Sequence, residues 1–181
     1  MKKSILPVMG ALLLGACVTY TVVPHQPAKP TDPQEMLGLI NRARSQARIC
    51  GNKRMAAARP LKWSPVLERS AQAHADDMAR NNYYRHNSRD GRTPEKRVKQ
   101  AGYTGWGGFE NIAGGYESAE KVIAGWIRSP GHCENLMNPE ITEVGMAVAS
   151  RAGTEHTNYW VQNFGMDLET FRREKPNYII P

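Results

Sequence analysis

The first seventeen residues decide the chemistry in which the rest of the chain must fold. Lys2 and Lys3 precede an apolar stretch from Ile5 to Leu14, interrupted only by Pro7 and Gly10. That stretch is far shorter than the ~20 apolar residues that span a bilayer, and it has the length and flanks of a signal peptide. It closes on Leu14-Gly15-Ala16-Cys17, small residues running into a cysteine, as a lipobox does. The expectation is that residues 1–16 are a lipoprotein signal peptide and that Cys17 becomes the lipidated N-terminus. The alternative is plain secretion with Cys17 free. Residues 17–31, carrying the lipidated cysteine, are rich in proline without a periodic apolar face, and so read as a stiff, extended tether. Val18 stands where an aspartate would resemble an inner-membrane retention signal. The expected destination is therefore the cell envelope, and the outer membrane where the host has one.

Export permits disulfides. With Cys17 assigned to lipid, Cys50 and Cys133 remain as an even pair. A bridge between them closes a long loop and contributes on the order of 4 kcal/mol in the chain-entropy picture. The competing reading makes Cys133 a nucleophile beside His132. Sequence neighbours rarely present their side chains to one another, and a free reactive thiol would be oxidised in this compartment. The disulfide is the expectation.

The 181-residue chain carries 24 basic and 17 acidic side chains. Cleavage before Cys17 would remove Lys2 and Lys3 and leave 22 basic against the same 17 acidic residues. That mild excess suits contact with anionic lipid, lipopolysaccharide or nucleic acid, but ordinary solubility is the preferred reading. Nucleic acid is not an expected partner, and Arg42, Arg44, Arg48, Lys53 and Arg54 read as a solvated helix end. Residues 32–166 are long enough for one domain with a proper core.

Local signals divide that domain. Asp32 as N-cap, Pro33 at the first helical position and Glu35 as the far side of a capping box open a first helix. Met36, Ile40, Ala43 and Ala47 form its apolar face, and Cys50-Gly51 its expected end. Ser64-Pro65 opens a second helix that gives out at Asn81-Asn82, with His74 on its apolar stripe as a core histidine. Thr93-Pro94 starts a short basic helix ending at Ala101-Gly102. The glycine-rich run from Thr104 to Gly115 suits close approach to another element. Ser118 caps a further helix, and Ser129-Pro130 restarts helix through His132 and Cys133 until Asn138-Pro139. The period then becomes two in residues 143–150 and 158–165, an antiparallel hairpin. Helices first and strands later indicate an α+β fold. The tail, residues 167–181, has no assignable pattern.

Ser118-Ala119-Glu120-Lys121 matches S-x-x-K, but neither S-D-N nor K-T-G accompanies it, and an N-cap suffices to explain Ser118. H-E-x-x-H and G-x-S-x-G are absent from the sequence. There remains a set: His86, Glu110 and His132, each at a loop or helix start. Two imidazoles and a carboxylate suit a divalent metal such as Zn²⁺ with an open position, or acid–base work on a polarised water. A third reading is a network of hydrogen bonds among the three that pins the glycine-rich run to neighbouring helices.

The segments LKWSPVLERSAQAHADDMA, YYRHNSRDGRTP, FENIAGG, GWIRSPGHCENLMNP, EVGMAVA and YWVQNFG occur in that order. Together, from about Met36 to Gly165, they resemble the CAP superfamily, the SCP or PR-1-like domain, in its bacterial form. The resemblance implies a three-layer α-β-α sandwich with a central antiparallel sheet and an open cleft. It also implies that His86, Glu110 and His132 are the cleft residues. Phe109 stands where the family usually has glycine. Ser129 stands where eukaryotic members have a second glutamate, which weakens any mechanism that needs paired carboxylates. What the resemblance implies about function is an extracytoplasmic role. The leading expectation is a membrane-anchored binding module for a small apolar, lipid or peptide ligand, able to hold a metal. A metal-dependent hydrolase of peptide, peptidoglycan or nucleic acid is the second, and a surface adhesin or host-interaction protein the third.

Overall fold

In the computed structural model, residues 26–29 and 32–177 are described. The signal segment, Cys17 and most of the tether lie outside the described residues.

Among the described residues, six helices and six strands follow one another from α1 (Pro33–Arg44) to α6 (Leu168–Glu174). Asp32 caps α1 by accepting from the Gln34 amide at 2.7 Å, and Pro33 takes the position where an amide would be wasted. The helix is shorter than its apolar pattern suggests. It stops at Arg44, and β1 (Arg48–Cys50) and β2 (Lys53–Met55) form a small hairpin turning at Gly51, whose φ is +62°. Ala47 and Cys50 are therefore not helical. Nor is Arg44 a solvated residue. It is fully buried, and its guanidinium donates to the carbonyls of Arg59, Leu136 and Asn138 at 2.9, 2.6 and 3.1 Å. Burial pulls its pKa down to about 10.

The short β3 (Lys62–Trp63) leads into α2 (Pro65–Asn81), capped by Ser64 and ended by Asn82 in the left-handed region. Next come α3 (Pro94–Gln100), β4 (Trp106–Gly114), α4 (Ala119–Arg128), α5 (Pro130–Met137), β5 (Glu143–Ser150) and β6 (Asn158–Met166). Four strands make the central sheet in the order β3-β5-β6-β4; its pairs are antiparallel except the two-residue β3 beside β5. The glycine-rich run is thus an edge strand, bulged between Gly107 and Phe109, where Gly108 has φ +128°.

Both faces of the sheet are covered. On one, Ile112, Ala147, Ala149, Tyr159 and Val161 pack against Ala71, Ala75, Met78 and Ala79 of α2. On the other, Ala113, Val144, Met146, Trp160 and Phe164 meet Ile40 of α1, Val122 and Trp126 of α4, and Leu136 of α5. Every residue of β6 is buried, as the middle layer of an α-β-α sandwich requires. At Gly145 the approach of α2 leaves no room for a side chain: a Cβ there would lie 2.0 Å from the Glu68 amide nitrogen. The tail contributes as well: Asp167 caps α6, and Phe171 stacks on Trp106 at 6.3 Å between ring centres. A disulfide joins Cys50 of β1 to Cys133 of α5 and so ties the small hairpin to the helix that carries His132.

Candidate functional site

Side chains occupy the free edge of β4. Trp126 Nε1 and Tyr84 Oη both donate to the Ile112 carbonyl, at 3.1 and 3.0 Å, and Asn135 Nδ2 donates to the Glu110 carbonyl at 3.2 Å. The edge is thus closed to pairing with another strand, and the elements that close it bring the three expected residues together. His86 lies in the loop between α2 and α3, Glu110 in β4, and His132 in the first turn of α5. They line one open cleft of about 400 Å³, together with Ser129, Gly131, Glu134 and Asn135.

Alternation along β4 gives its neighbouring residues Glu110 and Asn111 opposite tasks. Glu110 Oε1 accepts from His86 Nδ1 at 2.9 Å, and its Oε2 accepts from Arg97 Nη2 at 2.6 Å. The Asn163 amide, oriented so that both its ends find partners, donates to the same Oε2 at 3.1 Å and accepts from Ser70 Oγ at 3.3 Å. On the opposite face, Asn111 Nδ2 donates to the His132 carbonyl at 3.2 Å and to Gln162 Oε1 at 3.0 Å, while Asn135 donates back to Asn111 Oδ1 at 3.0 Å. One dipeptide of an edge strand therefore holds both histidine-bearing segments.

Arg97 completes the first of them. Its Nη1 donates to the His86 carbonyl at 2.8 Å, the Ser88 hydroxyl at 3.2 Å and the Arg92 carbonyl at 3.0 Å. A loop with little regular structure of its own is thereby fixed to α3. A basic residue in a short basic helix gives no signal of this in the sequence. Asn111 and Asn135 could have been suspected, since both sit inside the segments that carry the resemblance.

The two imidazoles differ in setting. The His86 side chain is 50% exposed, and its Nδ1 must carry the proton it gives to Glu110, so Nε2 is the lone-pair nitrogen of the neutral ring. His132 Nδ1 lies 2.9 Å from Ser129 Oγ. Burial, and then the proximity of the His86 imidazole, lower the His132 pKa from its ordinary value and so favour the neutral ring. Neither Nε2 has a hydrogen-bond partner among the described residues.

For a metal, the donor set is then two imidazole nitrogens. Among the described residues, no group of three or more His, Cys, Asp or Glu side chains is placed to hold an ion. Glu110 has both oxygens committed, so it stands behind His86 as a carboxylate stands behind a ligating histidine. What the cleft has to offer an ion is therefore the pair of Nε2 atoms of His86 and His132, with every other position left to solvent or ligand oxygen. Ser118, the S-x-x-K candidate, caps α4 by accepting from the Lys121 amide at 3.4 Å. His74 is buried on α2, as its apolar stripe indicates.

Comparison with known proteins adds a family. The model described as "Cysteine-rich secretory protein family" matches residues 37–164. The uncharacterized protein YkwD of Bacillus subtilis is 33% identical over 106 residues, which are 59% of this chain and 39% of YkwD. Among solved structures, an extracellular SCP-domain protein of Bacillus anthracis superposes with a TM-score of 0.60 at 26% identity, over 77% of this chain and 45% of that one. An outer surface protein of Borrelia burgdorferi superposes with a TM-score of 0.51 at 26% identity, over 61% and 80% respectively. The chain thus spans less than half the length of YkwD and of the Bacillus anthracis protein. By their names both solved neighbours are extracellular or surface proteins, in keeping with export. No helix among the described residues is long and apolar enough to cross a membrane.

Proposed function

This chain belongs to the CAP family of cysteine-rich secretory proteins, and on that premise we propose that it is a lipid-anchored binding module of the cell envelope. Its cleft takes a polar, peptide-like ligand with the help of a divalent metal on His86 and His132. The observation that carries this reading is the anchoring of both rings. Each Nδ1 has its own partner, Glu110 for His86 and Ser129 for His132, and each Nε2 is left over. A neutral imidazole fixed in this way is the form that binds Zn²⁺. When bound, the metal supplies a Lewis-acidic point for a carbonyl or carboxylate oxygen of the ligand. The chain's own residues orient it: Glu110 sets the His86 tautomer, Asn111 holds the His132 backbone, and Glu134 and Asn135 give the cleft wall polar contacts. That lining favours a peptide-like ligand over an apolar one.

Turnover is not part of the proposal. A general acid or base needs a carboxyl group free to gain and lose a proton within reach of substrate. Both oxygens of Glu110 are instead held by His86, Arg97 and Asn163. Lipid anchoring rests on Leu14-Gly15-Ala16-Cys17 and on the Cys50–Cys133 bond, which leaves Cys17 as the odd cysteine.

Calorimetric titration of the metal-free protein with Zn²⁺ tests the cleft. Wild type takes up one equivalent, and His86→Ala and His132→Ala each weaken uptake at least tenfold while leaving the fold intact. Equal uptake by all three sinks the metal reading. Retention of Cys17→Ser in the membrane fraction would sink the anchor.

A further inference from the structure

The described part of the tether, residues 26–29, is fastened to the domain. Asn158, fully buried at the start of β6, donates through Nδ2 to the Gln26 carbonyl and accepts through Oδ1 from the Ala28 amide, each at 2.8 Å. The Ser150 hydroxyl accepts from the same Ala28 amide at 3.2 Å, and the Lys29 amide donates to the Glu117 carbonyl at 3.1 Å. A side-chain amide that meets both a donor and an acceptor of an extended segment satisfies that backbone as a neighbouring strand would. Residues 26–29 are therefore a strap, held where β5 ends and β6 begins.

The fastening limits how the domain can sit on a membrane. With lipid on Cys17, the reading on which this inference rests, nine residues from Cys17 to His25 separate the bilayer from the strap. A chain of that length reaches at most about 30 Å. A globule of roughly 150 residues has a radius of gyration of about 15 Å, and hence a diameter of about 38 Å. The pole opposite the strap cannot then be turned to the bilayer; only the strap end and its flanks can.

That end is basic. Arg80 lies in the last turn of α2, and Arg151 directly follows β5. Both are exposed, the Arg151 guanidinium donates to the Arg80 carbonyl, and neither has an ion-pair partner among the described residues. They line one open recess together with Asp76 and Ser150. Of the acids nearby, Asp76 accepts from Gln72 at 2.9 Å, and Glu155 stands 3.8 Å from His156. Attraction to an anionic leaflet acts only within about a Debye length, ~8–10 Å, a distance that the short tether brings within reach. The cleft lies further off, since Glu110 pairs with Asn163, five residues along β6 from Asn158 and about 17 Å away.

We propose that the strap end is the membrane-facing surface of the protein. Arg80 and Arg151 meet the anionic headgroups of the bilayer, and the His86 cleft stands off that surface, open to ligands from the aqueous side.

The test does not depend on lipidation in the cell. With Cys50 and Cys133 bonded, Cys17 is the one thiol of the chain. The chain from Cys17 onward, which holds every described element, is coupled through that thiol to a maleimide-headed lipid in phosphatidylcholine vesicles, with or without phosphatidylglycerol. Hydrogen exchange is then followed by mass spectrometry. Phosphatidylglycerol slows exchange in residues 80–82 and 151–157 at least threefold and leaves the loop around His86 unchanged. Arg80→Ser combined with Arg151→Ser, both surface changes that leave the fold in place, removes that slowing. Ala28→Pro deletes the amide held by Asn158 and Ser150, and abolishes the preference for this end. Slowing centred on the His86 loop or on the β1–β2 hairpin, slowing at the strap end that persists in the double variant, or no slowing at all overturns the proposal. Because the coupling is chemical, such a failure leaves the lipid anchor standing, and the membrane fraction of Cys17→Ser judges that separately.

Discussion

Arg97 Nη2 and Glu110 Oε2 lie 2.6 Å apart, with side chains 4% and 1% exposed. A pair so far from water gains its attraction only while both members are present, and either one alone is an uncompensated buried charge. Glu110 is also the hydrogen-bond acceptor for His86, and Arg97 also holds the His86 carbonyl. The pair thus fixes the ring and the backbone of one residue through a single contact.

Arg97→Met is expected to cost about 3–5 kcal/mol in urea unfolding, the usual penalty for stranding one member of a buried pair. Glu110→Gln is expected to cost less, because the amide can still accept from His86 or Arg97. Adding Glu110→Gln to Arg97→Met should recover part of the first loss, so that the double variant is more stable than the sum of the two single effects implies. Strict additivity would show that the two residues do not act as a pair.

Cys50 and Cys133 are separated by 83 positions and joined across β1 and α5. Closing a loop of that length restricts the unfolded chain by about 4 kcal/mol at 25 °C. Cys50→Ser with Cys133→Ser should lose stability of that order, read from urea midpoints, and should be insensitive to reductant while wild type is not. Both sulfurs are buried, so reduction of wild type should require partial unfolding and be slow without denaturant. Rapid reduction in native buffer would contradict this.

Helix starts were legible because they are local. Asp32-Pro33, Ser64-Pro65, Thr93-Pro94, Ser118 and Ser129-Pro130 each open a helix within a residue of where the sequence puts it. The end of α1 was not, since Ala43 and Ala47 continue its period; what stops it is the β1–β2 hairpin and its bond to a helix some 80 residues away. Residues 104–115 disguise an edge strand because glycines carry no alternation, and the pairing with β6 that makes them a strand is nonlocal. The gathering of His86, Glu110 and His132 in one cleft could be anticipated only through family motifs, as spacing alone brings nothing 24 or 46 residues apart together. Arg97 had no signal at all: its burial is decided by Glu110 across the gap between α3 and β4.

His74 gives the fold a pH dependence whose sign follows from its burial. Desolvation, the largest influence on it, holds its folded-state pKa below the ordinary value of about 6.5. As pH falls the unfolded chain takes up the proton first, so stability is full above pH ~7 and is lost as pH falls through about 6.5 toward the folded pKa. His132, lowered by burial and by His86, adds in the same direction. Urea midpoints measured at pH 7.5, 6.5 and 5.5 in phosphate-free buffer should therefore fall progressively. This window lies above the ordinary carboxylate range, so histidines dominate it. His74→Gln keeps an N–H for the Arg85 carbonyl but cannot be protonated there, so its midpoint should fall less over the same interval. Parallel slopes for the two proteins would mean that His74 does not titrate between the folded and unfolded states in this range, and the slope would then belong to His132.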